Sequence, residues 1–351
     1  MQKLAADILA IIGDYQNDLD VHLTNQSIID WANQFENADR EFILSEFLHL
    51  LNQGIYVSKL RAKSLLLARI EEIRTHYKYA SSIQFLKETV FLDLQNPNKS
   101  QKEILTLIDE ILQNNYSLKL SDCGKSTKRN FIYFDDSVNT GRTLFTHLKT
   151  WLSQESNGIS NLTSVSNNSV RLIVSTFCYH TWSWENIKWR LKKELNNDEI
   201  TKRLDLFFDY AIENHPRFNN QKMNFAYPIE NQPSLVKTFL HQLHDGAIYN
   251  EDKAYRPASK PLKETFYSTP ENRNRFESII LNEGINILSK VKKKYLQHRP
   301  LGDVSPSYKT FGTGTLFFTW RNISNTCPLV FWWNVNSGWR GLFPLQNRGA
   351  R

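Results

Sequence analysis

Asn130-Phe131-Ile132-Tyr133-Phe134-Asp135-Asp136-Ser137-Val138-Asn139-Thr140-Gly141-Arg142-Thr143-Leu144 is the stretch that decides the fold of this chain. Residues 131–134 have the apolar, aromatic content of a buried strand. Gly141, flanked by the hydroxyls of Thr140 and Thr143, opens a run with helical spacing through Leu144, Phe145, Leu148, Trp151 and Leu152. The first N–H groups of a helix have no intrahelical partner, and the positive end of the peptide dipoles stands behind them, so they point at an anion. A phosphate suits that end. Asp135 and Asp136 fall at the carboxyl end of the strand, where ligands of open α/β sheets bind, and can accept from sugar hydroxyls or hold a hydrated Mg²⁺. The order strand, acids, loop, helix therefore predicts a cradle for a ribose phosphate. The bland alternative is a helix-capping turn without a ligand.

This segment resembles the phosphoribosyl-pyrophosphate signature of type I phosphoribosyltransferases: several apolar residues, two acids, then Thr-Gly-x-Thr. The resemblance implies that Asp135 and Asp136 hold the ribose hydroxyls, and Mg²⁺ with them. It also implies that Asn139, Thr140, Gly141, Arg142 and Thr143 bind the 5′-phosphate, Asn139 and Arg142 being the loosest positions of the match.

A chain of 351 residues with 40% hydrophobic content can bury a full core, as one large domain or two unequal ones. Lys and Arg number 43 against 36 Asp and Glu, a net charge of +7, which favours an acidic partner or substrate. Cys123, Cys178 and Cys327 are few, odd in number and without CxxC spacing, which argues against a disulfide frame or a zinc site and for small apolar packing in a reducing compartment. No run of eighteen apolar residues occurs, and the apolar run at residues 4–12 is broken by Asp7 and lacks a small-residue cleavage site. The expected location is the cytoplasm, with no membrane contact.

Residues 1–78 read as a helical amino-terminal cap, with helical spacing at Leu4, Ile8, Ile11 and Ile12, at Ile28, Ile29, Trp31, Ala32 and Phe35, at Phe42, Ile43, Phe47, Leu50 and Leu51, and at Leu60, Leu65, Leu66, Ile70 and Ile73. Asn52-Gln53-Gly54 marks a stop. A helix-turn-helix reading of this prefix is set aside, because Asp14, Asp18, Asp20, Asp30, Glu36 and Asp39 offer phosphates nothing. From residue 79 strands alternate with helices: strands at 89–94, 130–134, 170–177 and 204–208, helices at 101–113 and 142–153, and a basic helix with Trp184, Ile187, Trp189 and Leu191. Such alternation predicts an α/β fold with a parallel sheet and right-handed crossovers over 79–230. Residues 231–351 complete the chain as a hood region with a helix and β-strands. Within them 245–265 read as an exposed loop, and Pro270 opens a helix.

Three further segments hold candidate groups. Asn98-Lys99-Ser100 follows the first strand and opens a helix, so its backbone and the Lys99 ammonium could grip pyrophosphate, Lys99 and Ser100 being the named residues; an ordinary Ser-capped helix is the alternative. Gly124-Lys125-Ser126 resembles the end of a P-loop, but Lys119 stands where the first glycine belongs and the segment precedes a strand, which excludes an ATPase of that kind. Lys125, Lys128 and Arg129 remain second candidates for pyrophosphate. Tyr179, His180 and Trp182 follow the 170–177 strand, where His180 could be a catalytic acid or base and the aromatics could stack on a nucleobase; packing is the commoner role.

The carboxyl end contains Phe311-Gly312-Thr313-Gly314-Thr315-Leu316-Phe317-Phe318, then Ser324-Asn325-Thr326-Cys327-Pro328-Leu329-Val330-Phe331-Trp332, then Trp339-Arg340-Gly341-Leu342-Phe343-Pro344. From the residues alone, 316–318 and 329–332 are two buried strands with core tryptophans. With residues 31–35, these motifs look like those of phosphoribosyltransferase-like proteins of bacterial conflict systems, including proteins that accompany retron reverse transcriptases. Ile323 and Ser324 stand where that family has Pro and Asn. The resemblance implies a type I phosphoribosyltransferase-like α/β core with a helical amino-terminal cap and a carboxyl-terminal hood, acting with Mg²⁺ on phosphoribosyl pyrophosphate or a nucleotide in an antiviral or toxin-like system. Ribosyl transfer and cleavage of a nucleotide at the glycosidic bond are both compatible, and the acceptor is open. A reverse transcriptase with its RNA or DNA product is the implied partner, an oligomer is possible, and Lys188, Arg190, Lys192 and Lys193 together with Lys290, Lys292, Lys293, Lys294, His298 and Arg299 are the surfaces to meet nucleic acid. The competing class is a non-catalytic nucleotide sensor or a ribonucleoprotein-binding subunit.

Overall fold

The computed structural model describes residues 1–17, 22–97, 99–156, 158–215, 222–243, 253–291, 297–304, 310–334 and 338–344. In chain order the elements are α1 (Gln2–Ile12), α2 (Asn25–Ala32), α3 (Arg40–Leu50), β1 (Tyr56–Val57), α4 (Lys59–His76), α5 (Ser82–Lys87), β2 (Thr89–Phe91), α6 (Ser100–Tyr116), β3 (Asn130–Val138), α7 (Arg142–Leu152), β4 (Glu155–Ser156), β5 (Ile159–Ser160), α8 (Asn161–Ser166), β6 (Arg171–His180), α9 (Thr181–Leu195), β7 (Leu204–Ile212), α10 (Ser234–Leu243), α11 (Pro270–Ser289) and β8 (Phe318–Thr319). They group into two compact units, Leu60–Ala211 on one hand and Met1–Lys59 with Ile212–Arg351 on the other.

The unit of Leu60–Ala211 has the expected α/β character. Its sheet runs β2-β3-β6-β7, with β2 parallel to β3 and β3 parallel to β6. Side chains alternate across a strand, and β7 makes the two faces explicit. Leu204 and Leu206 pack into a core with Tyr133, Leu172 and Val174 of the sheet and with Leu144, Leu148, Trp151, Trp184, Ile187 and Leu191 of α7 and α9. The intervening Asp205, Phe207 and Asp209 meet α4: Tyr77 donates to Asp205 at 2.5 Å, His76 packs edge-on against Phe207, and Arg69 pairs with Asp209 at 2.8 Å. α6 joins α4 through Lys63 and Glu110 at 2.6 Å and through the Tyr116 hydroxyl, which donates to Glu71. Helices thus cover both faces.

The strands differ from expectation at their ends. β3 runs on through both acids to Val138 and β6 to His180, while β2 stops at Phe91. Beyond it the N–H groups of Leu94 and Gln95 leave the ladder and donate to the Gln101 side chain.

In the other unit the tryptophans are core, as their residues suggested. The Trp31 and Trp339 indole N–H groups both donate to the carbonyl of Val330, at 2.8 and 2.9 Å, and Trp31 stacks on Phe331. This shared aromatic core explains why the first 59 residues cluster with the carboxyl-terminal region, a partition that runs across the consecutive segments 1–78, 79–230 and 231–351 drawn from sequence. Two expected strands take another form. Residues 329–331 make a 3-10 turn in which Phe331 donates to Pro328 and Trp332 to Leu329, and of 316–318 only Phe318 enters a strand, pairing with Tyr56 of β1. Both runs are fully buried, and a short apolar run reports burial before it reports strand. Gly314, at φ +68, needs its missing Cβ because one would stand 2.0 Å from the carbonyl oxygen of Ala226.

Candidate functional site

The carboxyl end of β3 brings Asp135 and Asp136 together with the head of α6 and the start of α7. Asp135 is 7% exposed and is held by four donors. Its Oδ1 accepts from the Ser100 hydroxyl at 2.5 Å and from the backbone N–H of Asp136 at 2.9 Å, and its Oδ2 accepts from Gln95 Nε2 at 2.8 Å and from the Tyr133 hydroxyl at 3.4 Å. Gln95 Nε2 also donates to the Tyr133 oxygen, which lies 3.0 Å from His147 Nδ1. Gln101 closes the clasp by accepting from Leu94 and Gln95 and donating to the carbonyl of Phe134. Burial first, and the neighbouring Asp136 charge second, push the Asp135 carboxyl up to about 7. Burial likewise pushes the Tyr133 phenol up and the His147 imidazole down.

Asp136 is different. It is half-buried, its Oδ1 accepts from the N–H of Ser137 at 2.7 Å, and no protein donor reaches its Oδ2 among the described residues. The hydrogen bonds continue along the loop: Asn139 Nδ2 donates to the Ser137 hydroxyl, and the Ser183 hydroxyl donates to the carbonyl of Asn139. Gly141 then caps α7 in the left-handed region, φ +75, where a Cβ would come 2.8 Å from Ile187 of α9. Glycine is required there both for the backbone and for the close approach. No side chain caps α7, whereas α5 and α8 in the same unit are capped by Ser81 and Ser160. The first N–H groups of α7 are thus without a capping partner, and Arg142 and Thr143 beside them are exposed.

Of the residues named from sequence, the fold gathers Asp135, Asp136, Asn139, Thr140, Gly141, Arg142 and Thr143 at one sheet edge, with Lys99 exposed at the cap of α6 and Ser100 engaged on Asp135. Asn98 lies outside the described residues. Lys125 stands elsewhere. Gly124 and Ser126 donate to Leu86 and Lys87, just ahead of β2, and Arg129 donates to Glu88, so Lys125, Lys128 and Arg129 sit at the amino end of a parallel sheet. Five strand residues, roughly 16 Å, separate that end from Asp135. His180 ends β6 with no exposed surface, so it faces no open crevice, and Tyr179 packs against Phe208 with the rings tilted and their centroids 4.6 Å apart. The basic residues of α9 are mostly paired: Lys188 with Glu185, Arg190 with Glu194 and Lys192 with Asp198, while Lys193 lies over the exposed Trp189 ring. In the second cluster Lys292, Lys293 and Lys294 lie outside the described residues, His298 pairs with Asp303 at 2.6 Å and Arg299 is buried.

Gln95, Gln101, Tyr133 and His147 were not read from sequence. One signal was available, since Tyr133 and Asp135 are two apart on a strand and share its face. A hydrated Mg²⁺ fits Asp136 through its open Oδ2, and it fits Asp135 poorly, whose lone pairs are occupied. Among the described residues no group of three or more His, Cys, Asp or Glu is placed to hold a metal by itself. No helix among them is long and apolar enough to cross a membrane.

An α/β unit whose parallel sheet ends in paired acids, a glycine turn and an open helix start is the architecture of a phosphoribosyltransferase-like protein. Residues 28–345 match the PRTase-CE family model, and the chain belongs to that family. No curated protein and no solved structure matches it.

Proposed function

We propose that the chain binds a 5-phosphoribosyl compound, phosphoribosyl pyrophosphate or a nucleotide, and breaks its bond at C1, passing the ribosyl group to an acceptor or to water. The observation that supports this reading best is the uncapped start of α7 behind a left-handed Gly141, directly after a carboxylate pair fixed by neighbouring donors. The 5′-phosphate would lie on the N–H groups of 141–143 with the Thr140 and Thr143 hydroxyls, and the ribose against the acids. As the C1 bond breaks, positive charge grows on the ring and negative charge on the departing group. The acids act on the first and Lys99 on the second, while Arg142 serves the 5′-phosphate, a matter of position and electrostatics. Mg²⁺ on Asp136 would neutralise phosphate charge when bound. The setting, an antiviral system such as a retron, follows from the resemblance of the carboxyl-terminal motifs.

Titration calorimetry with phosphoribosyl pyrophosphate and Mg²⁺ is the test. Binding is expected for the wild type and its loss for the protein with Asp135→Ala, Asp136→Ala and Thr140→Val together; undiminished binding by that variant refutes the assignment. A second reading, a sensor that binds without turnover, is favoured by the distance of Lys125, Lys128 and Arg129 from the acids, which leaves few cations for a departing pyrophosphate. Metabolite and RNA profiles of cells expressing wild type against Asp135→Asn with Asp136→Asn separate the two: identical profiles with intact binding favour the sensor.

A further inference from the structure

The two acids of the signature stand in unlike surroundings. A carboxylate has about four lone-pair positions, and those of Asp135 are filled by Ser100, Asp136 N–H, Gln95 and Tyr133. A ribose hydroxyl could reach Asp135 only by displacing one of them, and each displaced group would be a buried donor left without a partner, at a cost of about 1–3 kcal/mol. Asp136 has one oxygen committed to Ser137 and the other open, on a half-buried side chain. The orientation of Asp136 depends in turn on Asp135, which accepts its backbone N–H.

We propose that the acids divide the work: Asp136 is the carboxylate that receives the ribose hydroxyl, and Asp135 is a positioning residue, locked by Gln95, Ser100 and Tyr133, that fixes the backbone from which Asp136 projects. The assignment rests on the ribose-phosphate reading and narrows it, since the signature alone gives both acids to the sugar. It also gives the loop after β2 a role. Gln95 and Gln101 clasp residues 94–101 onto the end of β3, so the loop that offers Lys99 and the strand that offers Asp136 are held as one piece.

The test compares AMP with its 2′-deoxy and 3′-deoxy forms by calorimetry in MgCl₂. A site that hydrogen-bonds a hydroxyl rejects the analogue lacking it, so the wild type is expected to bind AMP about tenfold or more tightly than at least one deoxy form. Asp136→Asn should bind the three alike. Asp135→Asn and Gln95→Met should both narrow the wild-type ratio without abolishing it, since each loosens the backbone that aims Asp136 and neither removes the carboxylate that receives the hydroxyl, and Gln95→Met serves alone where Asp135→Asn does not fold. Discrimination of one hydroxyl that survives in Asp136→Asn and in Gln95→Met but is abolished in Asp135→Asn gives Asp135 its own ribose contact and overturns the division, as does binding by the wild type without discrimination. Failure of the wild type to bind either AMP or phosphoribosyl pyrophosphate overturns the ribose-phosphate reading itself.

Discussion

Replacing Asp135 by Asn removes a buried charge while keeping the side chain's shape, and the structure fixes how the effect must vary with pH. The folded carboxyl lies near 7, raised by burial and then by Asp136, against 3.8 for an ordinary aspartate. The folded state therefore holds a proton that the unfolded chain releases between those values, so this group's contribution to stability is complete below about pH 4 and is lost as pH rises through 7. At 1.36 kcal/mol per unit, the wild type should lose about 2 to 3 kcal/mol between pH 5 and pH 8 that the variant does not. The variant has its own cost. Each Asp135 oxygen accepts from an N–H donor, that of Asp136 on Oδ1 and Gln95 Nε2 on Oδ2, so the new amide N–H₂ displaces one of them whichever way it faces, losing roughly one buried hydrogen bond, about 1–3 kcal/mol, at all pH values. Asp135→Asn should be the weaker protein at pH 5 and match or exceed the wild type at pH 8. Because two units need not unfold together, the measurement is amide hydrogen exchange of Ile132, Tyr133 and Ile173 in the sheet, without Mg²⁺, the two proteins compared at each pH so that intrinsic exchange cancels. Parallel protection across pH 5 to 8 would refute the reasoning.

Asp136→Asn removes the second cause of the Asp135 shift, so in that variant the loss of protection should be smaller and should level off at lower pH than in the wild type, read in the same experiment. Gly141→Ala places a methyl 2.8 Å from Ile187 at φ +75; it should destabilise the Leu60–Ala211 unit by about 1–3 kcal/mol and abolish phosphate-dependent binding, measured by thermal melting and calorimetry. Lys99→Ala should weaken phosphoribosyl pyrophosphate more than ribose 5-phosphate, whereas Lys125→Ala should leave both unchanged; equal losses in Lys99→Ala would assign that lysine to general electrostatics. Charge reversal at Lys188 and Lys192, which already have acidic partners, should not change retention of nucleic acid at either of two salt concentrations, and a steep loss would restore α9 as a nucleic-acid surface.

The parts of the fold that were legible in the sequence are those governed by periodicity. The apolar alternation of strands and helices from residue 89 predicts a parallel sheet, which β2, β3 and β6 form, and the Asp-Asp and Thr-Gly pairs mark the end of β3 on which the proposed site rests, because both signals are local. Short apolar runs at 316–318 and 329–332 misled, since burial alone produces them and the backbone there is settled by Pro328 and by packing around Val330. Lys125 misled for a topological reason: it lies only ten residues before Asp135 in the chain, yet β3 traverses the sheet between them, and a residue just before that strand stands at the wrong end.

The glutamine clasp lay beyond sequence reading because neither Gln95 nor Gln101 belongs to a motif; each acts by completing donors and acceptors that other residues leave open. Gln101 receives two backbone N–H groups that leave the β2 ladder, and Gln95 supplies a donor to a carboxylate that β3 carries below the surface. Such a requirement appears only when the strand ends and the helix start are side by side. It also explains why a site built on a motif should depend on residues outside it: a carboxylate at the edge of a sheet is useful to a sugar only if its direction is fixed beforehand, and in this chain the direction of Asp136 is set by Asp135, whose own is set by Gln95, Ser100 and Tyr133. Substitution of either glutamine should consequently be felt at the ribose hydroxyls before it is felt in the fold.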